Sequence, residues 1–257
     1  MVHEPAMNFA FTIGAYRLCD FVKLNVLQIR KLCPEAMILI SDDRSSESYF
    51  MEKIADDLHC SYVCAREKRG HFAGDVQSIL NSLAFAEAAG ADVAVKISQR
   101  LIFRSPSTIG ALRAAFEDPN IHFASPGQPK GVRGSKSTQG FGQFAVLSDL
   151  VCARVGALKP EEVKKVYVDR IQNEIVPWKE FIEALIHALH INKFPGHSSY
   201  LPELTDPGPD LPFLRRYQCA EGDYHRLAAE HGMTGKFPLT EWGAIEGGTY
   251  RPKALVV

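Results

Sequence analysis

The stretch "ADVAVKISQRLIF", residues 91–103, decides the fold. Its run Val93, Ala94, Val95, with Ile97 beyond, is that of a strand covered on both faces, as in a parallel sheet. It carries Lys96 and runs out through Ser98, Gln99 and Arg100. In an open α/β sheet, ligands gather at the carboxyl ends of the strands. Two cations delivered to such a mouth call for an anion.

Working outward, strands and helices alternate. "NFAFTIGAY" (8–16) reads as a strand, and "LCDFVKLNVLQIRKLC" (18–33) as a helix whose apolar face is Phe21, Leu24, Leu27, Ile29 and Leu32, stopped by Pro34. "AMILISDD" (36–43) is a second buried strand, followed by a helix over 45–60 and a third strand over 61–67. "DVQSILNSLAFAEAAG" (75–90) is a helix with Asp75 at its start and Gly90 just past its end. After the opening stretch come a helix over 105–120 and a strand over 121–127. The alternation predicts an α/β fold with a mainly parallel sheet flanked by helices.

The pattern then changes. Residues 127–142, rich in Gly, Ser and basic side chains, read as a flexible loop, and "QFAVLSDLVCARVG" (143–156) as a strand into a helix. "WKEFIEALIHALH" (178–190) is an amphipathic helix, and the Pro-rich stretch 194–213 a wrapping loop. Residues 213–257 read as a short helix and an irregular tail. The expected organisation is a domain over 1–195 and a C-terminal helical extension over 196–257 packing on it.

Among 257 residues, 29 Lys and Arg stand against 30 Asp and Glu, for a net charge of -1. That balance argues against nucleic acid as a partner. The six cysteines hold one close pair, Cys60 and Cys64, without the second pair or His set of a zinc site, and read as reduced core residues. No basic leader precedes an apolar core at the N-terminus, and no run approaches the ~18 apolar residues of a membrane span. The expectation is a cytoplasmic protein, with peripheral membrane association left open.

Asp42 and Asp43 close the second strand. Two adjacent acids cannot both be buried unpaired, so one should face the cleft, where it could accept from a base N–H or a ribose hydroxyl. Capping the next helix is the alternative use. Only Gly14 follows the pattern of a dinucleotide loop, and no Gly-rich phosphate loop ending in Lys-Ser or Lys-Thr occurs.

The order of "SDDRSSES" (41–48), "GHFAGDVQSILNSLAFAEAAGADVAVKIS" (70–98) and "GFGQFAVLSDLV" (140–151) resembles the GT-A fold of family 2 nucleotide-sugar glycosyltransferases, over roughly residues 8–190. The resemblance implies that Thr12, Gly14 and Tyr16 line a nucleotide pocket. It further implies that Asp42 or Asp43 holds the base or ribose, and that Asp75 lies beside uridine and sugar. It implies a nucleotide-sugar donor, a UDP sugar, and a glycan or lipid-linked acceptor. The acceptor's proton would go to Asp169 or Glu174 in "VYVDRIQNEIVPW" (166–178).

One departure matters. In that family the strand matching "VAVKIS" ends in Asp-x-Asp, whose carboxylates hold Mg²⁺ or Mn²⁺. Ser98 and Gln99 are weak neutral ligands for a hard cation, and Arg100 would repel it. A guanidinium can instead meet phosphate oxygens itself, so Lys96, Ser98 and Arg100 are expected to face a diphosphate without a metal. The rival readings are a nucleotidyltransferase, for which "TIGAYRLCD" is a poor basic loop, and a non-catalytic nucleotide-sugar-binding module.

Overall fold

The computed structural model describes residues 7–99, 101–103, 106–119, 121–124, 127–129, 144–146, 150–167, 221–235, 244–246 and 249–251. The first half follows the expected alternation. Strands β1 (Phe9–Ala15), β2 (Met37–Asp42), β3 (Ser61–Cys64) and β4 (Val93–Ser98) are joined by α1 (Cys19–Leu32), α2 (Ser48–Asp57) and α3 (Gly70–Ala88). Helix α4 (Pro106–Glu117) and β5 (Phe123–Ala124) follow. Then come β6 (Gly127–Pro129), β7 (Phe144–Val146), β8 (Leu150–Arg154), α5 (Pro160–Tyr167), α6 (Glu221–Glu230), β9 (Ala244–Glu246) and β10 (Thr249–Arg251).

The main sheet has the order β3-β2-β1-β4-β8-β5. Strands β3, β2, β1 and β4 pair in parallel, and β8 runs against both of its neighbours. The stretch 150–154, expected to begin a helix, is therefore a strand. Leu150, Val151, Cys152 and Ala153 are all buried, and a short run buried on both faces carries no period that separates strand from helix. Two other expectations change. The loop expected from 127 begins with β6, paired to β7, and the tail expected to be irregular carries the β9–β10 hairpin.

The two faces of the sheet differ in chemistry. Phe9, Phe11, Ile13 and Ala15 on β1, Ile38 and Ile40 on β2, and Val93, Val95 and Ile97 on β4 share one face. They pack with Val22, Val26 and Ile29 of α1, Met51 of α2, and Leu112 and Phe116 of α4. The opposite face presents Ala10, Thr12 and Gly14 on β1, aligned with Ala94, Lys96 and Ser98 on β4. These small and polar residues let α3 come close. A Cβ on Gly14 would stand 2.7 Å from Ser78 Oγ.

Helix α6 lies against α1, with Tyr224, Leu227 and Ala228 packed on Leu18, Phe21 and Leu24. The Tyr224 and Phe21 rings meet edge to face at 4.8 Å. This contact has a consequence for the start of α1. Arg17 and Leu18, at φ 56° and 57°, both take the left-handed conformation. For residues with a Cβ that costs about 1–2 kcal/mol each. Burial of the Leu18 side chain under α6 offsets the cost, and the chain turns sharply out of β1.

Candidate active site at the carboxyl edge of the sheet

Strand order runs from β1 to β2 and β3 on one side and to β4 on the other. Such a reversal opens a crevice at the carboxyl ends of the two diverging strands. Here it lies between Gly14, Ala15 and Tyr16 on one side and Ser98 and Gln99 on the other, with Gly14 and Ser98 in register.

Gln99 fastens the two strand ends together. Its side-chain Oε1 accepts the Tyr16 N–H at 2.7 Å, and its Nε2 donates to the Tyr16 carbonyl at 3.2 Å. Its own N–H donates to the Gly14 carbonyl, and its carbonyl accepts from Nδ2 of the buried Asn25. The middle residue of Ser98-Gln99-Arg100 is thus turned inward and positions Tyr16. Nothing in the sequence pattern marks it for this. The signal would have been a buried amide facing a strand end, and that is a contact across 83 positions.

The adjacent acids go separate ways. Asp42, only 2% exposed, accepts from the Ser45 N–H at 3.0 Å, the Ser48 hydroxyl and the Tyr62 hydroxyl at 3.0 Å. It therefore braces the turn that leads into α2, and the expectation that it meets a base or ribose gives way to this internal role. Its charge, after burial itself, pushes the Tyr62 phenol upward, away from ionisation. Asp43 faces the mouth, half-buried, and its Oδ1 accepts the Arg69 N–H at the start of α3 at 2.9 Å. It lies against Gly74, where an added Cβ would stand 2.8 Å from the carboxylate.

Lys96 is also placed otherwise than expected. It sits in the middle of β4, 1% exposed beneath α3, and its ammonium pairs with Asp75. Buried under a helix and paired with Asp75, it does not present its charge to the mouth as expected. Thr12, in register beside it and fully buried, is likewise below the pocket it was expected to line. The Oγ atoms of Thr12 and Ser78 are buried without a hydrogen-bond partner among the described residues. Asp75 joins the two levels: one oxygen meets Lys96, while a quarter of the side chain is exposed. Of the expected binding residues, then, Gly14, Tyr16, Asp43, Asp75 and Ser98 come together at the edge. Arg100, Asp169 and Glu174 lie outside the described residues.

The end of β4 does not fit a divalent cation. Gln99 has both amide atoms committed to Tyr16, and Ser98 offers one neutral hydroxyl. Among the described residues, no three His, Cys, Asp or Glu side chains converge as a metal site. Five described cysteines are free thiols, and burial with the Glu47 carboxylate pushes Cys19 up to about 12. No described helix is long and apolar enough to cross a membrane.

A mainly parallel sheet flanked by helices, with one reversed strand and a crevice at the β1–β4 switch, is a GT-A-like architecture. Among solved structures, the galactosyltransferase LgtC, in complex with donor and acceptor sugar analogues, shares it. The TM-score is 0.56 at 12% identity, covering 92% of this chain and 99% of that one. Glucosyl-3-phosphoglycerate synthase from Mycobacterium tuberculosis, in complex with Mn²⁺, UDP and glucosyl-3-phosphoglycerate, gives 0.48 at 14% identity, over 71% and 80% of the two chains. A cytidylyltransferase from Leptospira borgpetersenii serovar Hardjo-bovis gives 0.38 at 12% identity, over 70% and 73%. No known family profile and no curated protein sequence matches the chain. At 12% identity the likeness to the galactosyltransferase is one of fold.

The Asp43–Gly74 contact gives a direct check on the site. Gly74→Ala must push the Asp43 carboxylate aside, because the new methyl group takes its place. The expected result is a loss of UDP affinity of about tenfold, the scale of one charged hydrogen bond. Calorimetry with UDP measures it, and unchanged affinity would mean that Asp43 does not touch the nucleotide.

Proposed function

We propose that the chain is a glycosyltransferase that moves a sugar from a UDP sugar to a carbohydrate or lipid-linked acceptor without a metal ion. The observation that carries this reading is the grouping of Gly14, Tyr16, Asp43, Asp75 and Ser98 around the switch-point crevice. Gly14 lets α3 close on the end of β1, and Tyr16 offers a ring on a backbone that Gln99 holds. Asp43 accepts from the base or ribose. Asp75, steadied by Lys96, accepts from the uridine or sugar hydroxyls.

Transfer requires charge stabilisation on the departing diphosphate and a base for the acceptor hydroxyl. Arg100 supplies the first as a permanent cation, with Ser98 beside it. Asp169 or Glu174 supplies the second. Residues 1–195 form the catalytic domain in this reading and 196–257 an extension packed on it. The protein works in the cytoplasm, docking peripherally on a membrane where the acceptor is lipid-linked.

A melting-temperature panel of nucleoside diphosphates and their sugars, run in EDTA, tests the reading. A ligand that binds the native state alone must raise the melting temperature. UDP and UDP sugars are expected to do so. If no nucleotide shifts the transition, the site is not a nucleotide-sugar site. Shifts without transfer or donor hydrolysis under any condition would favour a binding module.

A further inference from the structure

Two cations lie over one aromatic ring at the mouth of the crevice. Lys68 Nζ is 4.5 Å from the centroid of the Tyr16 ring, and Arg17 Cζ is 5.3 Å from it. Both side chains are exposed, and among the described residues no carboxylate pairs with either. The face of a tyrosine attracts each cation. Two like charges gathered at one ring nonetheless repel each other, and an anion placed between them reverses the balance.

The pair comes from two separately anchored segments. Arg17 stands in the left-handed turn after β1, forced outward because Leu18 behind it is buried under α6. Strained backbone of this kind persists where the surroundings over-determine it, and it clusters at ligand clamps. Lys68 belongs to the segment between β3 and α3, and its neighbour Arg69 is tied to Asp43 through the backbone N–H. The backbone that carries the shared ring is anchored, because Gln99 holds both the N–H and the carbonyl of Tyr16. Two cations gathered at one ring thus stand at the switch point, where ligands of open α/β sheets bind.

We propose that Arg17 and Lys68 are the diphosphate clamp of this site. Their two positive charges match the two negative charges that the diphosphate of a nucleotide sugar carries. They do on the β1 side of the crevice what the buried Lys96 does not do from β4. The assignment rests on reading the crevice as a nucleotide-sugar site, and it adds two phosphate-binding residues on the β1 side to Arg100 and Ser98 on the β4 side.

The test is calorimetry in EDTA with inorganic pyrophosphate, UDP and uridine, on the wild type, on Lys68→Met, and on the double variant Arg17→Gln, Lys68→Met. Both positions are exposed, and melting temperatures matching the wild type would show that the fold is kept. The double variant is expected to bind UDP and pyrophosphate at least about tenfold more weakly. Lys68→Met should fall between, and uridine should bind all three proteins alike. Wild-type affinity for UDP and pyrophosphate in the double variant would overturn the clamp while leaving the glycosyltransferase reading in place. An equal loss for uridine would overturn it too, because the cations would then be serving the base. A wild type that binds neither UDP nor pyrophosphate also overturns it. A wild type that binds pyrophosphate through this pair yet transfers no sugar keeps the clamp and loses the transferase.

Discussion

Asp75→Ala is expected to lower folding stability by about 3 kcal/mol, and Lys96→Met by about 1 kcal/mol or less. The two halves of one ion pair differ because their surroundings differ. Lys96 is 1% exposed and Asp75 25%. Removing the carboxylate takes a close counter-charge from an ammonium that stays buried beneath α3, and a buried charge with fewer partners is costly. Removing the ammonium leaves a carboxylate that water already reaches, and methionine fills the same slender space with apolar atoms. Denaturant midpoints at unchanged slope measure both. Equal losses would mean that the pair is solvated as a unit. No loss in Asp75→Ala would mean that Lys96 has another anion to hold it.

The second large effect is expected at Arg100. If its guanidinium takes the charge of the leaving diphosphate, Arg100→Ala should cost on the order of 10²-fold or more in turnover, with the fold intact. Wild-type turnover should then survive EDTA. The rate of transfer, or of donor hydrolysis, in EDTA and in Mn²⁺ decides the matter for both proteins. Strict dependence on Mn²⁺ in the wild type would contradict the role, as would an unchanged rate in the variant.

How much of this was legible in the sequence depended on whether the decisive contact was local. Strands β1, β2 and β4 stood out as apolar runs, and Gly90, which takes a left-handed φ of 67°, marked the end of α3 as a glycine after a periodic stretch. Asp43 could be picked because a strand end is a sequence position, whereas Gly14 and Tyr16 were named only through the family resemblance. Depth was another matter. Asp42 and Asp43 are neighbours, yet the alternation of the strand turns one inward to Ser45, Ser48 and Tyr62 and the other out toward Gly74. Lys96 looked like a cation at the mouth because its partner Asp75, 21 residues earlier on a different element, was not recognisable as such. Gln99 looked like a failed metal ligand and is a strand fastener. Arg17 and Lys68 drew no notice, since the tyrosine that gathers them adjoins only one of them in sequence.

The most direct measurement is a calorimetric titration of UDP, in EDTA, into the wild type and into Asp43→Ala. The account predicts that one UDP binds per chain without metal. It predicts an affinity loss of about tenfold in the variant, the worth of one hydrogen bond to a charged group. The contradictory result is a wild type that takes up no UDP in EDTA, or a variant that binds it as tightly as the wild type. Either would remove the nucleotide from the crevice between β1 and β4.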